Sequence, residues 1–302
     1  MTTQMTADVK PKPSNCQKGE KRLVLKLLMP QETSLALLRV EGEKENRGTE
    51  ILKHQGVHGY MNRKQLQFAT DFSADSTNYW QNELDSRGLL KVWKRPTARD
   101  QLETSITYAG ESYLEQLGYA NHGYAKSFSP KKKPQRKHRL GITTASLAFL
   151  RAAEVLEEEA EVLPPRTLWV RSEEIEMDKI WLWGSEPYLV EYENSTKGTN
   201  GSLSGRERLE KKFQQYADCV TDGVFEMAGL KGARVLYITP TTGRIPKLQE
   251  AARKTGTNLL FLFTHEGAFI DDCRMLLREP IWRVADETQF ADDSAFAEGI
   301  VL

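Results

Sequence analysis

The run Tyr188-Leu189-Val190-Glu191-Tyr192-Glu193-Asn194 alternates, with Tyr188, Val190 and Tyr192 on one side of an extended chain and Leu189, Glu191 and Glu193 on the other. Both carboxylates therefore share one face of one strand. Upstream, residues 176–183 read as a second strand carrying Asp178, and Gly184-Ser185-Glu186-Pro187 reads as the hairpin connection between the two. Antiparallel pairing across that turn brings Asp178 toward the glutamates.

Downstream, residues 206–220 place Leu209, Phe213, Tyr216 and Val220 on one apolar stripe at helical spacing. Lys212 borders that stripe, whereas Lys211 lies on another face, four residues after Glu207, where it forms an ordinary exposed pair. Three carboxylates and a lysine have a defined chemistry. Phosphodiester hydrolysis uses a hard divalent cation held by one or two carboxylates, and a cation beside the phosphoryl oxygens or the attacking water. Asp178, Glu191 and Glu193 are thus candidate ligands for Mg2+ or Mn2+, with Lys212 as the supporting cation. A competing reading is a solvated edge strand, because 28% of the residues are charged and exposed edges carry charge.

The 302 residues are enough for two modest domains with tails, and 42 basic and 42 acidic residues leave no net charge. That balance hides segregation. Residues 126–139 contain Lys131, Lys132, Lys133, Arg136 and Lys137 and no acid, while the chain after Ala285 has acids and no base. Cys16, Cys219 and Cys273 are widely spaced and odd in number, against a disulfide framework and in favour of a reducing cytoplasm. No apolar run approaches a membrane span, and the N-terminus lacks a secretory core. A cytoplasmic protein with no membrane partner is expected.

The expected organisation has a flexible basic arm over residues 1–21 and a segment over 22–45 that packs on the next domain or forms a dimer contact. A winged-helix domain over 46–124, a basic linker over 125–139, an α/β domain over 140–285 and an acidic tail over 286–302 follow. In the winged-helix part, short helices are expected at 49–53, 63–70 and 74–87, set off by Gly56 and Gly59. Strands are expected at 89–94 and 105–108, with a helix at 109–117. The phrase Asn82-Glu-Leu-Asp-Ser-Arg-Gly-Leu-Leu-Lys-Val, followed by Ile106-Thr-Tyr-Ala-Gly-Glu-Ser-Tyr-Leu, resembles winged-helix regulators. In the helix from Ala74, Trp80 and Leu84 face the core, which leaves Thr77, Asn78 and Gln81 to meet base edges in the major groove. Lys94, Arg95 and Arg99 in the wing, with Lys131, Lys132, Lys133 and Arg136 in the linker, supply phosphate contacts. Winged helices also serve as protein-docking modules, and Asp75, Glu83 and Asp85 make this helix less basic than a strong DNA reader.

Beyond the linker the pattern runs as a helix over 141–161, ended by Pro164-Pro165, then strands at 167–171, 176–183 and 188–194. The Lys212 helix, a strand at 233–239, a helix at 246–254 and a strand at 258–263 complete it. That α-β-β-β-α-β order is the order of a restriction-endonuclease-like core. The fold class expected is therefore α+β, a winged helix followed by such a domain. His138 stands at a helix start beside the basic run, as a phosphate contact or equally a packing residue; His54, His58, His122 and His265 have no ligand spacing. Residues 196–205, rich in small polar groups, lack the ending of a phosphate loop and read as a loop beside the site.

With these phrases in order, residues 49–284 resemble the replication-relaxation family of plasmid and mobile-element proteins. The resemblance is carried by the winged helix, by His138, and by Glu191-Tyr-Glu193 with Ser195-Thr196-Lys197-Gly198. Arg208-Leu-Glu-Lys-Lys212-Phe-Gln-Gln-Tyr216, Val235-Leu-Tyr-Ile-Thr-Pro with Arg244, and Pro280-Ile-Trp282 complete it. It implies a PD-(D/E)xK-type fold with Asp178 as first acid, Glu191 and Glu193 as the strand motif, and Lys212 as a lysine moved onto the following helix. Two departures stand out: Met177 where a proline is expected, and Glu193 where the motif has lysine. The function expected is a DNA-binding mobilisation or relaxosome protein that recognises double-stranded DNA and nicks it, in company with relaxosome or replication proteins. The alternatives are a non-enzymatic transcriptional or replication regulator using the same fold for dimerisation or docking, and a defence nuclease on a mobile element.

Overall fold

The computed structural model describes residues 43–93, 102–119, 123–127, 133–194, 205–257, 260–278 and 281–285. The arm and nearly all of the segment over 22–45, the wing residues Lys94, Arg95 and Arg99, Lys131 and Lys132, the small-residue loop and the acidic tail lie outside them. Residues from Gly48 onward belong to one compact unit, and Met1–Arg47 to another. The fold is α+β.

The first part of the larger unit runs from α1 (Glu43–His58), which enters it at Gly48, through β1 (Tyr60–Asn62), α2 (Arg63–Thr70), α3 (Ala74–Ser86), β2 (Leu90–Trp93), β3 (Glu103–Ile106) and α4 (Tyr108–Gln116). Gly56 lies inside α1; the break is at Gly59, whose φ of +74° takes the chain directly into β1. Asn62 then caps α2 through a reciprocal box, its side chain accepting from Gln65 N–H while Gln65 Oε1 accepts from Asn62 N–H. Ser73 and Thr107 cap α3 and α4 one way only, their side chains accepting from Ser76 N–H and Gly110 N–H. The three strands form an antiparallel sheet in the order β1-β3-β2. α3 buries Thr77, Trp80, Gln81 and Leu84 together. The expectation that Thr77 and Gln81 face outward is therefore corrected: they stand seven and three residues before Leu84, so the helix puts them on its inner stripe.

A short helix, α5 (Tyr124–Ser127), precedes α6 (Lys133–Leu156), which begins inside the basic run and not after it. The reason is local bonding. Arg136 pairs with the buried Glu103 at 3.1 Å, Gln65 Nε2 donates to Leu140 O and Thr144 Oγ1 at 2.7 and 2.9 Å, and Thr143 Oγ1 donates to Tyr60 O at 3.1 Å. Residues 133–139 are thus helix packed on the first part, correcting the expected linker, and Arg136, expected at phosphate, is paired with Glu103. The acidic stretch expected to extend the helix breaks from it at Glu157 with φ of +58° and feeds a strand.

Between α6 and the next long helix lie five strands rather than three: β4 (Ala160–Leu163), β5 (Arg166–Val170), β6 (Glu173–Met177), β7 (Lys179–Trp183) and β8 (Glu186–Tyr192). α7 (Gly205–Thr221), α8 (Val224–Met227), β9 (Arg234–Thr239), α9 (Ile245–Arg253), β10 (Phe261–His265), α10 (Met275–Arg278) and β11 (Arg283–Val284) follow. Apart from a β5–β6 hairpin, these strands form a mixed sheet ordered β11-β10-β9-β8-β7-β4, in which β8, β9 and β10 are parallel neighbours. The alternation read in the sequence holds: Tyr188, Val190 and Tyr192 join the core under α6 and α10, while Leu189 joins the opposite core under α7 and α9. β8 and β9 are covered on both faces, as parallel strands require. Val220 is exposed and does not continue the apolar stripe of α7.

Candidate functional site

The hairpin between β7 and β8 pairs Lys179 with Val190, so that Asp178, in the bend just before β7, stands at the end of β8 where Glu191 lies. Tyr192 N–H donates to Asp178 Oδ2 at 2.9 Å, which fixes the carboxylate on the neighbouring strand. Its other oxygen meets His138 Nε2 from α6 at 2.8 Å. The ring of His138 stands edge-on to that of Tyr192, and Gly141 lets α6 come this close: a Cβ there would fall 2.1 Å from Tyr192 Cζ.

Glu191 is buried and faces α7. Lys212 Nζ donates to its Oε2 at 2.6 Å, and the Tyr216 hydroxyl, one helical turn further on, donates to its Oε1. Glu193 lies just past β8, where Arg244 Nη1 donates both to its carbonyl at 3.0 Å and to its Oε1 at 3.1 Å. Lys211 is exposed as expected, with Glu173 as its partner at 2.7 Å. Tyr237 stands beside Glu191 across the β8–β9 register, its hydroxyl buried and without a hydrogen-bond partner among the described residues.

The electrostatics follow the geometry. Burial pushes the Glu191 carboxyl up to about 7, an effect that Lys212 opposes and Asp178 reinforces. Burial pulls the same way on Asp178, but the bonds and charge of His138, then Lys212 and the Tyr192 N–H, outweigh it and hold the acid below its ordinary value. His138 and Lys212 are each disfavoured as cations by burial, and each is held above its ordinary value by the carboxylates it touches. The site is therefore a part-buried, charge-compensated cluster with Glu191 as its buried member.

Among the described residues no group of three His, Cys, Asp or Glu side chains is arranged to hold a metal ion, so Asp178, Glu191 and Glu193 do not form a three-carboxylate cage. Magnesium asks for less: one or two carboxylates with water completing the octahedron. Asp178 and Glu191 fit that demand, since both are oxygen donors at the same strand ends and each oxygen retains a lone pair beyond the bond it accepts. Glu193 belongs with Arg244 and adds charge from the side.

Of the residues expected to contact DNA, Asn78 accepts from Arg63 Nη2 at 2.9 Å, and Thr77 and Gln81 are buried. The outward face of α3 is instead Asp75, Tyr79 and Asn82. Lys133 lies in the first turn of α6. His138 ranked low in the sequence because its partner is 40 positions away; Tyr216 was legible only as core, although its spacing from Lys212 puts the two on one face. A groove of about 810 Å³, lined by Val220, Phe225, Arg234 and Leu260, opens at the opposite end of β9 and takes no part.

No protein-family model and no curated protein matches the chain. Among solved structures, restriction endonuclease FokI is similar to it at 11% sequence identity and a TM-score of 0.28, over 76% of this chain and 43% of that one. The chain thus spans less than half of that structure. No helix among the described residues is long and apolar enough to cross a membrane.

Proposed function

We propose that this chain is a DNA-acting protein of the mobilisation or relaxosome type, which binds duplex DNA through its first part and nicks it at the Asp178–Glu191 site. One observation carries the reading: Asp178 and Glu191, 13 positions apart, meet at adjoining strand ends with Lys212 on Glu191 and His138 on Asp178. In support of DNA binding, the helix–strand–helix–helix–strand–strand order and the β1-β3-β2 sheet suit a winged-helix reading, with Tyr79 and Asn82 outward on α3. Asp178 and Glu191 would hold Mg2+ or Mn2+, which supplies Lewis acidity at a phosphoryl oxygen. Lys212 Nζ is the donor available to the charge that builds on the phosphate as water adds and the P–O bond breaks. His138 holds the Asp178 carboxylate in place through its Nε2.

The test is nicking of a supercoiled plasmid carrying the element's own transfer origin, with wild type, Asp178→Ala and Lys212→Ala compared in magnesium and in manganese. Each substitution should lower the rate by about 10²–10³ while duplex binding persists. Wild type that never nicks with relaxase partners supplied, or variants that nick as well as wild type, would remove the catalytic reading. A second reading draws on the same contacts: Asp178, Glu191 and Glu193 each already have a basic partner in His138, Lys212 and Arg244. A site closed in this way suits a non-enzymatic regulator that keeps the fold for dimerisation or docking.

A further inference from the structure

Two arginines at the rim of this cluster have donors to offer. Arg244 reaches Glu193 through Nη1 alone, for both the carbonyl and the carboxylate, so the remaining N–H groups of its guanidinium have no partner among the described residues. Arg139 follows His138 on α6, is half-buried, and makes no hydrogen bond or ion pair among the described residues. A half-buried guanidinium without a carboxylate is uncommon, because its desolvation is normally offset by a paired anion.

Their positions are complementary. His138 ties the Arg139 turn of α6 to Asp178 at the start of β7, and Arg244 ties the turn after β9 to the residue just past β8. Arg139 is therefore next in chain to the residue that bonds Asp178 on the α6 side, and Arg244 is bonded two residues after Glu191 on the β9 side. The positive field of Arg139 is felt by His138, Tyr124 and Lys179, groups that also feel the negative field of Asp178. Planar forked donors at such a spot match phosphate oxygens, which accept two parallel N–H bonds from one guanidinium.

We propose that Arg139 and Arg244 bind the phosphates on either side of the one at Asp178 and Glu191, so that a nucleic-acid strand lies along the edge where β7 begins and β8 and β9 end. The inference rests on the reading of the site as DNA-acting and adds the residues that would align the strand. Alignment of this kind supplies rate through position, since it fixes which phosphodiester faces the carboxylates.

The experiment is the salt dependence of binding, measured by anisotropy with a fluorescein-labelled duplex of arbitrary sequence in EDTA, so that no cleavage intervenes. Arg139→Gln and Arg244→Gln in the full chain should each lower the slope of log K against log salt by about one, the loss expected for one phosphate contact. Arg244→Lys, which keeps the charge, should restore the slope; Arg278→Gln, an exposed arginine paired with Glu158, should leave it at the wild-type value. Slopes equal to wild type in both glutamine variants, or a loss confined to one of them, would overturn the paired arrangement. Wild type that binds duplex but never nicks removes only the catalytic reading and leaves this measurement decisive; wild type that binds no duplex removes both.

Discussion

Glu191 is the residue on which the chemistry of the site depends, because it is a buried acid held by one lysine and one tyrosine. With its carboxyl pushed up to about 7 from 4.5, mainly by burial, the folded chain retains a proton that the unfolded chain releases. The sign follows: between about 4.5 and 7 the folded state binds more protons, so this residue's contribution to stability falls as pH rises, and it levels off above about 7. On the proposed reading, a cation would compete for the same oxygens. Manganese affinity of the full chain, measured by calorimetry, should rise up to about tenfold per pH unit below 7 and flatten above it. Glu191→Gln should abolish both the tight binding and its pH dependence; a pH profile unchanged by that substitution would place the ion elsewhere. Lys212 was legible in the sequence because its place on a helix face is a local property. Arg244 and His138 were not, since each acquires its role from a partner at the far end of a loop or a sheet.

At the scale of elements, α3 shows how a helix face is misread. Trp80 and Leu84 were placed correctly in the core, and both are buried. The same periodicity that assigns them, however, assigns Thr77 and Gln81 to their side, and the polar identity of those residues concealed it. Tyr79 and Asn82 are the groups that solvent, and on the proposed reading DNA, can reach. Asn82→Ala should therefore weaken preference for a cognate site by about 1–3 kcal/mol, as loss of a good base contact does, with little change in melting. Gln81→Ala should do the converse, changing the melting midpoint while site preference in a competition titration stays at the wild-type level. The β7–β8 hairpin was legible because strict alternation and a Gly-Ser turn are both short-range signals. The start of α6 was hidden, since a basic run reads as solvated chain until Glu103 and Gln65, far upstream, supply its partners.

Across the whole molecule, α6 belongs to two structures at once. Its first turns are bonded to β1, α2 and β3, and its apolar face, from Ile142 to Ala153, covers the six-stranded sheet. Lys179 adds a second tie: from β7, one residue after Asp178, its buried Nζ donates to Val57 O at 2.5 Å and to the Tyr124 hydroxyl. Burial holds this amine well below its ordinary value. A winged helix read from sequence as a module over 46–124 would, if cut there, lose every one of these bonds. The two sheets should consequently unfold together: in hydrogen exchange against rising urea, amides of β1–β3 and of β8–β9 should lose protection at one midpoint. Lys179→Met keeps the apolar stem but leaves a buried carbonyl and a buried hydroxyl without their donor, at a cost of about 1–3 kcal/mol. Because the tie is shared, that loss should lower the midpoint of both sheets equally. If the β1–β3 amides alone shifted, or if a 46–124 fragment melted cooperatively at the midpoint of the full chain, the two parts would be independent domains and α6 a mere neighbour to both.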